Sequence, residues 1–194
     1  MNAIAPTLST RHFSGVNPLV RDVLLVVLGS LFVALFAQIS IPLPFTPVPL
    51  TGQTFAVLLV GAALGSKRGA ASLGLYFAEG ALGLPFFAGG GSGLINPNGA
   101  IIASLGYLIG FIIAAYVIGL LAERGMDRSL RTSLVPFLIG SIIIYVCGVA
   151  WLMVGIKLSF QAAIMNGVIP FLIGDAIKLV LAGLTLPTAW KIVK

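Results

Sequence analysis

Two ionisable residues, Asp175 and Lys178, sit three positions apart in the apolar run VIPFLIGDAIKLVLAGLTLPTAW, residues 168–190. They are the one acid–base pair deep inside any long apolar stretch of the chain. A charge at the centre of a bilayer costs roughly 2.5–3.5 kcal/mol on insertion scales, so such groups face the protein interior and a partner. The i, i+3 spacing places both on one face of a helix, within reach of each other. Two roles fit these residue types. One is an internal salt bridge that clasps helices together. The other is a site for a small solute carrying hydrogen-bond donors and a negative group.

A few other polar residues could join such a site. Gln53 opens a predicted helix, where it can bond a ligand or cap the helix. Tyr76 and Glu79 fall in the next helix, and Glu79 is a second carboxylate in an apolar setting with no base nearby in sequence. Asn96 and Asn98 lie in PFFAGGGSGLINPNGA, residues 85–100. Glycine there lets the backbone approach a ligand or merely turn. The run is no phosphate loop, because GxxxxGK[ST] is absent.

The elements that must carry these residues are helices in a membrane. Of 194 residues, 59% are hydrophobic and 8% charged, against about 25% charged in a soluble domain. The apolar runs are continuous rather than alternating, which argues against a β-barrel. The expected fold is an all-α integral membrane bundle of six transmembrane helices, about 23–41, 51–65, 69–86, 101–122, 133–155 and 168–190. Residues 1–20 form a polar cytoplasmic tail and 21–194 one membrane domain. The run 23–41 is longer than the 7–15 or so apolar residues of a signal peptide, so it reads as a retained helix. The segment 51–65 is short, since a bilayer needs about 20 residues.

Charge distribution argues for six spans. Nine basic residues (Arg11, Arg21, Lys67, Arg68, Arg124, Arg128, Arg131, Lys191, Lys194) then fall on one side and Lys157 alone on the other. That is the positive-inside pattern, with both termini cytoplasmic. It also requires 51–65 to cross, because otherwise Lys67 and Arg68 face outward. IPLPFTPVPLTG, residues 41–52, cannot be helical with its alternating prolines. It must lie at the surface or fold onto the protein, and Phe45 and Leu50 give it an apolar side suited to covering a cavity as a lid. Residues 156–167 are expected to be a loop on the same outer side. Ser30 and Ala34 make a small-xxx-small pair, which serves either packing within the monomer or a seam for another subunit.

Much chemistry is excluded. His12, the one histidine, lies in the tail, so Gly91-Ser92-Gly93 has no base in the bundle and a serine-enzyme reading fails. The one cysteine, Cys147, allows no intrachain disulfide. No metal-ligand spacing occurs. The net charge of +6 is accounted for by loop charges and implies no nucleic acid. Uphill transport would need another subunit or an ion gradient, and the acids Glu79 and Asp175 keep a proton-coupled carrier open.

Three stretches carry a family resemblance: IPLPFTPVPLTGQTFAVLLVGAALGSKRGAASLGLY (41–76), GALGLPFFAGG (80–90) with GYLIGFIIAAYVIG (106–119), and IPFLIGDAIKLVLAG (169–183). They resemble the BioY family, the biotin-binding S components of energy-coupling factor transporters. The resemblance implies a six-helix bundle with an outward-facing pocket. It implies that Asp175 and Lys178 correspond to the acidic and basic residues of a biotin site, with Asn96, Asn98, Gln53 and Tyr76 as further lining residues. Where the family reads GPTGGY this chain reads NPNGAIIASLGY (96–107), which leaves the asparagines' part open. The implied function is high-affinity biotin uptake across a bacterial plasma membrane. The implied partners are a transmembrane coupling protein, docked at the Ser30–Ala34 seam, and two cytoplasmic ATPases that alone use ATP; no cofactor is implied. An S component for another vitamin, a stand-alone proton-coupled carrier and a structural subunit with an Asp175–Lys178 clasp are the alternatives.

Overall fold

The computed structural model describes residues 17–96 and 99–192, so most of the expected tail and Asn98 lie outside the described residues. Helix α1, Pro18–Ala37, starts earlier than hydropathy suggests because local chemistry sets its start. Asn17 Oδ1 accepts from Leu19 N at 3.0 Å, and proline occupies the first turn. The helix ends before residue 41 because Ser40–Ile41 forms a strand, β1, paired antiparallel with β2, Leu50–Thr51. The proline stretch is thus the loop of a small hairpin.

Helices α2 (Gln53–Leu64) and α3 (Ser66–Ala81) are joined by Gly65 alone. Its φ of +84° is a left-handed value that glycine adopts without strain. The start of α3 is capped from outside. Glu123 Oε1 accepts from Ser66 N at 2.8 Å and from Ser66 Oγ at 2.9 Å, placing negative charge at a helix N-terminus. Helix α3 stops at Ala81 rather than near 86, because Gly83 (φ +107°) and Pro85 follow. Helix α4, Leu105–Ala122, begins later than 101 because Ile101 is extended and bridged to Ile95. Helix α5, Leu130–Val154, opens with a capping box of Ser129 and Thr132.

The expected loop 156–167 contains a helix, α6, Phe160–Gly167. Ser159 caps it by accepting from Ala162 N at 3.3 Å. The polar residues Lys157, Ser159, Gln161 and Asn166 dilute its hydropathy and hide it. A 3-10 turn, Ile169–Phe171, absorbs Pro170 before α7, Leu172–Ile192. Among the described residues, four helical stretches are long and apolar enough to cross a membrane: Pro18–Ala37, Leu105–Ala122, Leu130–Val154 and Phe160–Lys191. Helices α2 and α3, with 12 and 16 residues, fall short of the length needed for about 30 Å of hydrocarbon.

The core lies where α2, α3, α4 and α5 meet, around Leu58, Tyr76, Ile118 and Phe137, all almost wholly buried. Ser30 and Ala34 are buried as well. Ser30 Oγ donates to Glu79 Oε2 on α3, which supplies the cross-helix partner that Glu79 lacks in sequence. The expected docking seam is therefore used inside the chain. The outward face of α1 is instead Leu24, Leu28, Leu31 and Leu35.

The polar ties between elements gather at two ends. At one end, Arg68 Nη1 meets Asp22 Oδ1 at 3.2 Å, Ser66 meets Glu123, and Trp190 Nε1 donates to Asp127 Oδ2 at 2.6 Å. At the other end, Thr46 Oγ1 donates to the Asn166 carbonyl at 2.6 Å, Tyr107 OH to the Gly167 carbonyl at 2.7 Å and Trp151 Nε1 to the Ile102 carbonyl at 3.0 Å.

Asp127, in the turn between α4 and α5, is 1% exposed. The Arg128 guanidinium lies 4.0 Å above the Trp190 ring and 3.7 Å from Asp127 Oδ1. Burial pushes the Asp127 carboxyl above its ordinary value, and the Trp190 N–H and Arg128 oppose the shift only in part. Between the ordinary carboxylate range and the raised value, the folded state holds a proton that the unfolded chain has released. Stability therefore falls as pH rises across that window. Asp127→Ala, which leaves the Trp190 N–H unpartnered, should cost about 1–3 kcal/mol. Asp127→Asn keeps an acceptor there and should cost less, and it should lack the pH window. Thermal unfolding in detergent between acidic and neutral pH measures both effects.

Candidate functional site

Four side chains from three helices converge towards one end of the bundle. Asp175 lies in the first turn of α7 and Lys178 one turn further along. Lys178 Nζ donates to Asp175 Oδ1 at 2.8 Å. Thr54, in the first turn of α2, donates from Oγ1 to the same oxygen at 2.9 Å. It also accepts from Lys178 Nζ at 3.1 Å. Tyr145 of α5 donates from its hydroxyl to Asp175 Oδ2 at 2.5 Å. The side chains of Asp175 and Lys178 retain 12% and 17% exposure, so the pair is screened from solvent but still reachable.

The network is satisfied without being saturated. An ammonium has three donors and a carboxylate about four acceptor positions. Lys178 uses two donors on Asp175 and Thr54, and Asp175 accepts three hydrogen bonds. One ammonium N–H and at least one carboxylate lone pair are left over. Hydrogen-bonding capacity of both signs therefore remains beside a fixed constellation.

That capacity borders a cavity that Asp175 and Lys178 help to line. Beyond the polar group, the walls are mostly apolar: Leu50 from β2, Phe87 from the glycine-rich segment, Leu108 and Phe111 from α4, and Phe171 from the 3-10 turn, with Thr51, Gln53 and Ser104 as neutral polar residues among them. Val48 and Pro49 of the proline stretch form another wall. That stretch is pinned in place. Thr46 Oγ1 donates to the Asn166 carbonyl of α6 and accepts from Val48 N at 3.2 Å. Val48 is buried, while Phe45 is exposed.

The structure sorts the residues singled out in the sequence. Asp175 and Lys178 come together in the cavity wall. Gln53 also lines it, with Oε1 accepting from Thr51 Oγ1 at 3.0 Å and Nε2 donating to Tyr76 OH. Tyr76 does not line the cavity: it is buried behind Gln53 and holds that amide in place. Asn96 does not line it either. It is exposed, and its backbone N–H bonds the Ala100 carbonyl at 2.7 Å to close a turn. Asn98 is outside the described residues. Thr54, Tyr145, Phe111 and Phe171 are missing from the sequence reading. A signal existed for Tyr145, a phenol inside the apolar run of α5, because a buried tyrosine hydroxyl normally finds a partner. Thr54 gave a weaker one, as the only hydroxyl in QTFAVLLVGAAL.

Known proteins share this architecture and sequence. A crystal structure of the S component for biotin from an ECF-type ABC transporter superposes with a TM-score of 0.77 at 25% identity, covering 89% of this chain and 92% of that one. The biotin transporter BioY of Thermotoga maritima is 44% identical over 151 residues, 76% of this chain and 83% of its own length. The probable biotin transporter BioY of Pyrococcus horikoshii is 40% identical over 157 residues, 78% of this chain and 86% of its own length. These relatives are transporters rather than enzymes, and the fold they share is that of a multi-pass membrane protein. The BioY family model matches residues 6–194, and on that match, together with these relatives, the chain belongs to the BioY family.

Proposed function

We propose that this protein binds biotin in the cavity beside Asp175 and Lys178 and takes it up across the plasma membrane as the S component of an energy-coupling factor transporter. The observation that carries the reading is a charged polar pole, built from Asp175, Lys178, Thr54 and Tyr145, in a cavity whose remaining lining is mostly apolar and aromatic, with Gln53, Thr51 and Ser104 as neutral polar exceptions. Biotin matches it chemically. Its ureido ring has two N–H donors and a carbonyl acceptor, its valerate is an anion, and the rest is apolar. Asp175 accepts a ureido N–H. Lys178 donates to the carbonyl or to the carboxylate. Thr54 and Tyr145 fix the orientation of Asp175, and Gln53, held by Tyr76, borders the same space.

The bundle crosses the membrane six times in this reading, with α2 and α3 as a short hairpin and both termini cytoplasmic. The end that gathers Arg21, Arg68, Arg128 and Lys191 is the cytoplasmic one, and Lys157 lies at the other. The cavity then opens outward. The proline stretch, clasped to α6 through Thr46, covers it as a lid. A transmembrane coupling protein and two cytoplasmic ATPases supply energy, and the chain itself needs no cofactor.

Equilibrium biotin binding to the purified protein tests the site. Asp175→Asn and Lys178→Ala, checked for intact folding, should each weaken binding about ten- to a hundredfold, the worth of a charge-assisted hydrogen bond. Tyr145→Phe and Thr54→Val should weaken it about two- to tenfold. A folded wild type that ignores biotin, or prefers thiamine or riboflavin in competition, refutes the assignment. Thr46→Val should speed biotin exchange, and unchanged exchange removes the lid. Biotin uptake should stop in cells lacking the ATPases. Uptake that survives there and collapses with an uncoupler would establish a proton-coupled carrier instead.

A further inference from the structure

A second concave feature, separate from the biotin cavity, runs between α1 and α2. Leu25, Leu28 and Phe32 form one wall, and Val60, Ala63 and Leu64 the other. Every residue that lines it is apolar. Gly29 also lines it and lets α1 approach α3 closely: a Cβ there would come within 2.5 Å of Ser72 Oγ. The groove spans about 10 Å of α1, from Leu25 to Phe32 at 1.5 Å per residue. That is within one leaflet of a bilayer whose hydrocarbon is about 30 Å thick.

One end of the groove is cationic. Arg21, Leu25, Leu28 and Phe32 follow helical spacing along one stripe of α1. On the other wall, the chain passes from Leu64 through Gly65 to Lys67 and Arg68. Asp22 Oδ1 holds Arg21 Nε at 2.9 Å and Arg68 Nη1 at 3.2 Å, and Glu123 caps Ser66 beside them, so three basic residues stand against two carboxylates and the balance is positive. Each guanidinium has five N–H donors, and these contacts use few of them. Lys67 is exposed.

An apolar slot one leaflet deep that ends at surplus positive charge has the chemistry of a lipid site. A membrane-spanning helix would need a seam about three times as long. We propose that this groove binds an anionic phospholipid, one acyl chain lying between α1 and α2 and the phosphate resting against Arg21, Lys67 and Arg68. The site does not depend on the biotin assignment.

Native mass spectrometry of the purified full chain, titrated with palmitoyl-oleoyl phosphatidylglycerol or phosphatidylcholine, tests this. Each basic residue near the headgroup should favour the anionic lipid about fivefold. Lys67→Gln, an exposed position, should lower the phosphatidylglycerol advantage by about that factor and leave phosphatidylcholine unchanged. Ala63→Trp, which fills the groove, should abolish tight binding of phosphatidylglycerol. Circular dichroism and monodispersity confirm that both variants fold. Equal affinity for the two lipids, or a preference that survives both variants, overturns the proposal. So does an Ala63→Trp variant that binds lipid normally but loses association with a coupling protein, since the groove would then be a protein seam.

Discussion

The carboxylate of Asp175 is the constraint on which the cavity end of the bundle depends. A charge inside an apolar helix must be met by donors, and here the donors come from its own helix, from α2 and from α5. Meeting that demand fixes the rotation of three helices at once. Thr54 has to point from the first turn of α2 towards α7, and Tyr145 has to turn its hydroxyl the same way. The apolar residues beside them on α2 and α5 are carried into the cavity wall by the same rotations. The packing of this end is thus set by one satisfied charge, as expected where leaving the group unpaired costs far more than the bonds return.

The opposite end of the bundle is built differently. There the ties are ion pairs and capped termini: Asp22 with two arginines, Glu123 on the start of α3, and Asp127 beneath Trp190. Asp127 joins the α4–α5 turn to the end of α7, the helix whose other end carries Asp175. Helix α7 is therefore anchored at both ends by a buried or half-buried carboxylate. Its middle presents Ile177, Val180, Leu181 and Leu184 outward.

How much of this is legible in the sequence follows from what each signal measures. The i, i+3 placement of Asp175 and Lys178 is visible because charge in an apolar run is rare. Long apolar helices are visible for the same reason, although capping at Asn17 and Ser129 moves their starts. Helix α6 is hidden because its polar residues mimic a loop until Ser159 is seen to cap it. Thr54 and Tyr145 are hidden because a hydroxyl in an apolar helix acquires meaning only when its partner, more than 100 residues away for Thr54, is known. The asparagine of the glycine-rich segment misled in the opposite direction: Asn96 has the right chemistry and faces away from the cavity.

The brevity of α2 has a geometric consequence. A helix of 12 residues rises about 18 Å, some 12 Å less than the hydrocarbon it would have to cross. Its first turn, with Gln53 and Thr54, lies at the cavity, and the missing turns above it are replaced by an extended ribbon that leaves room beside it. The cavity thus sits at the start of this helix, and the length of one helix sets the level of its floor. One more helical turn on α2 would raise that floor by about 5.4 Å, so the depth of the cavity is written into where this helix begins.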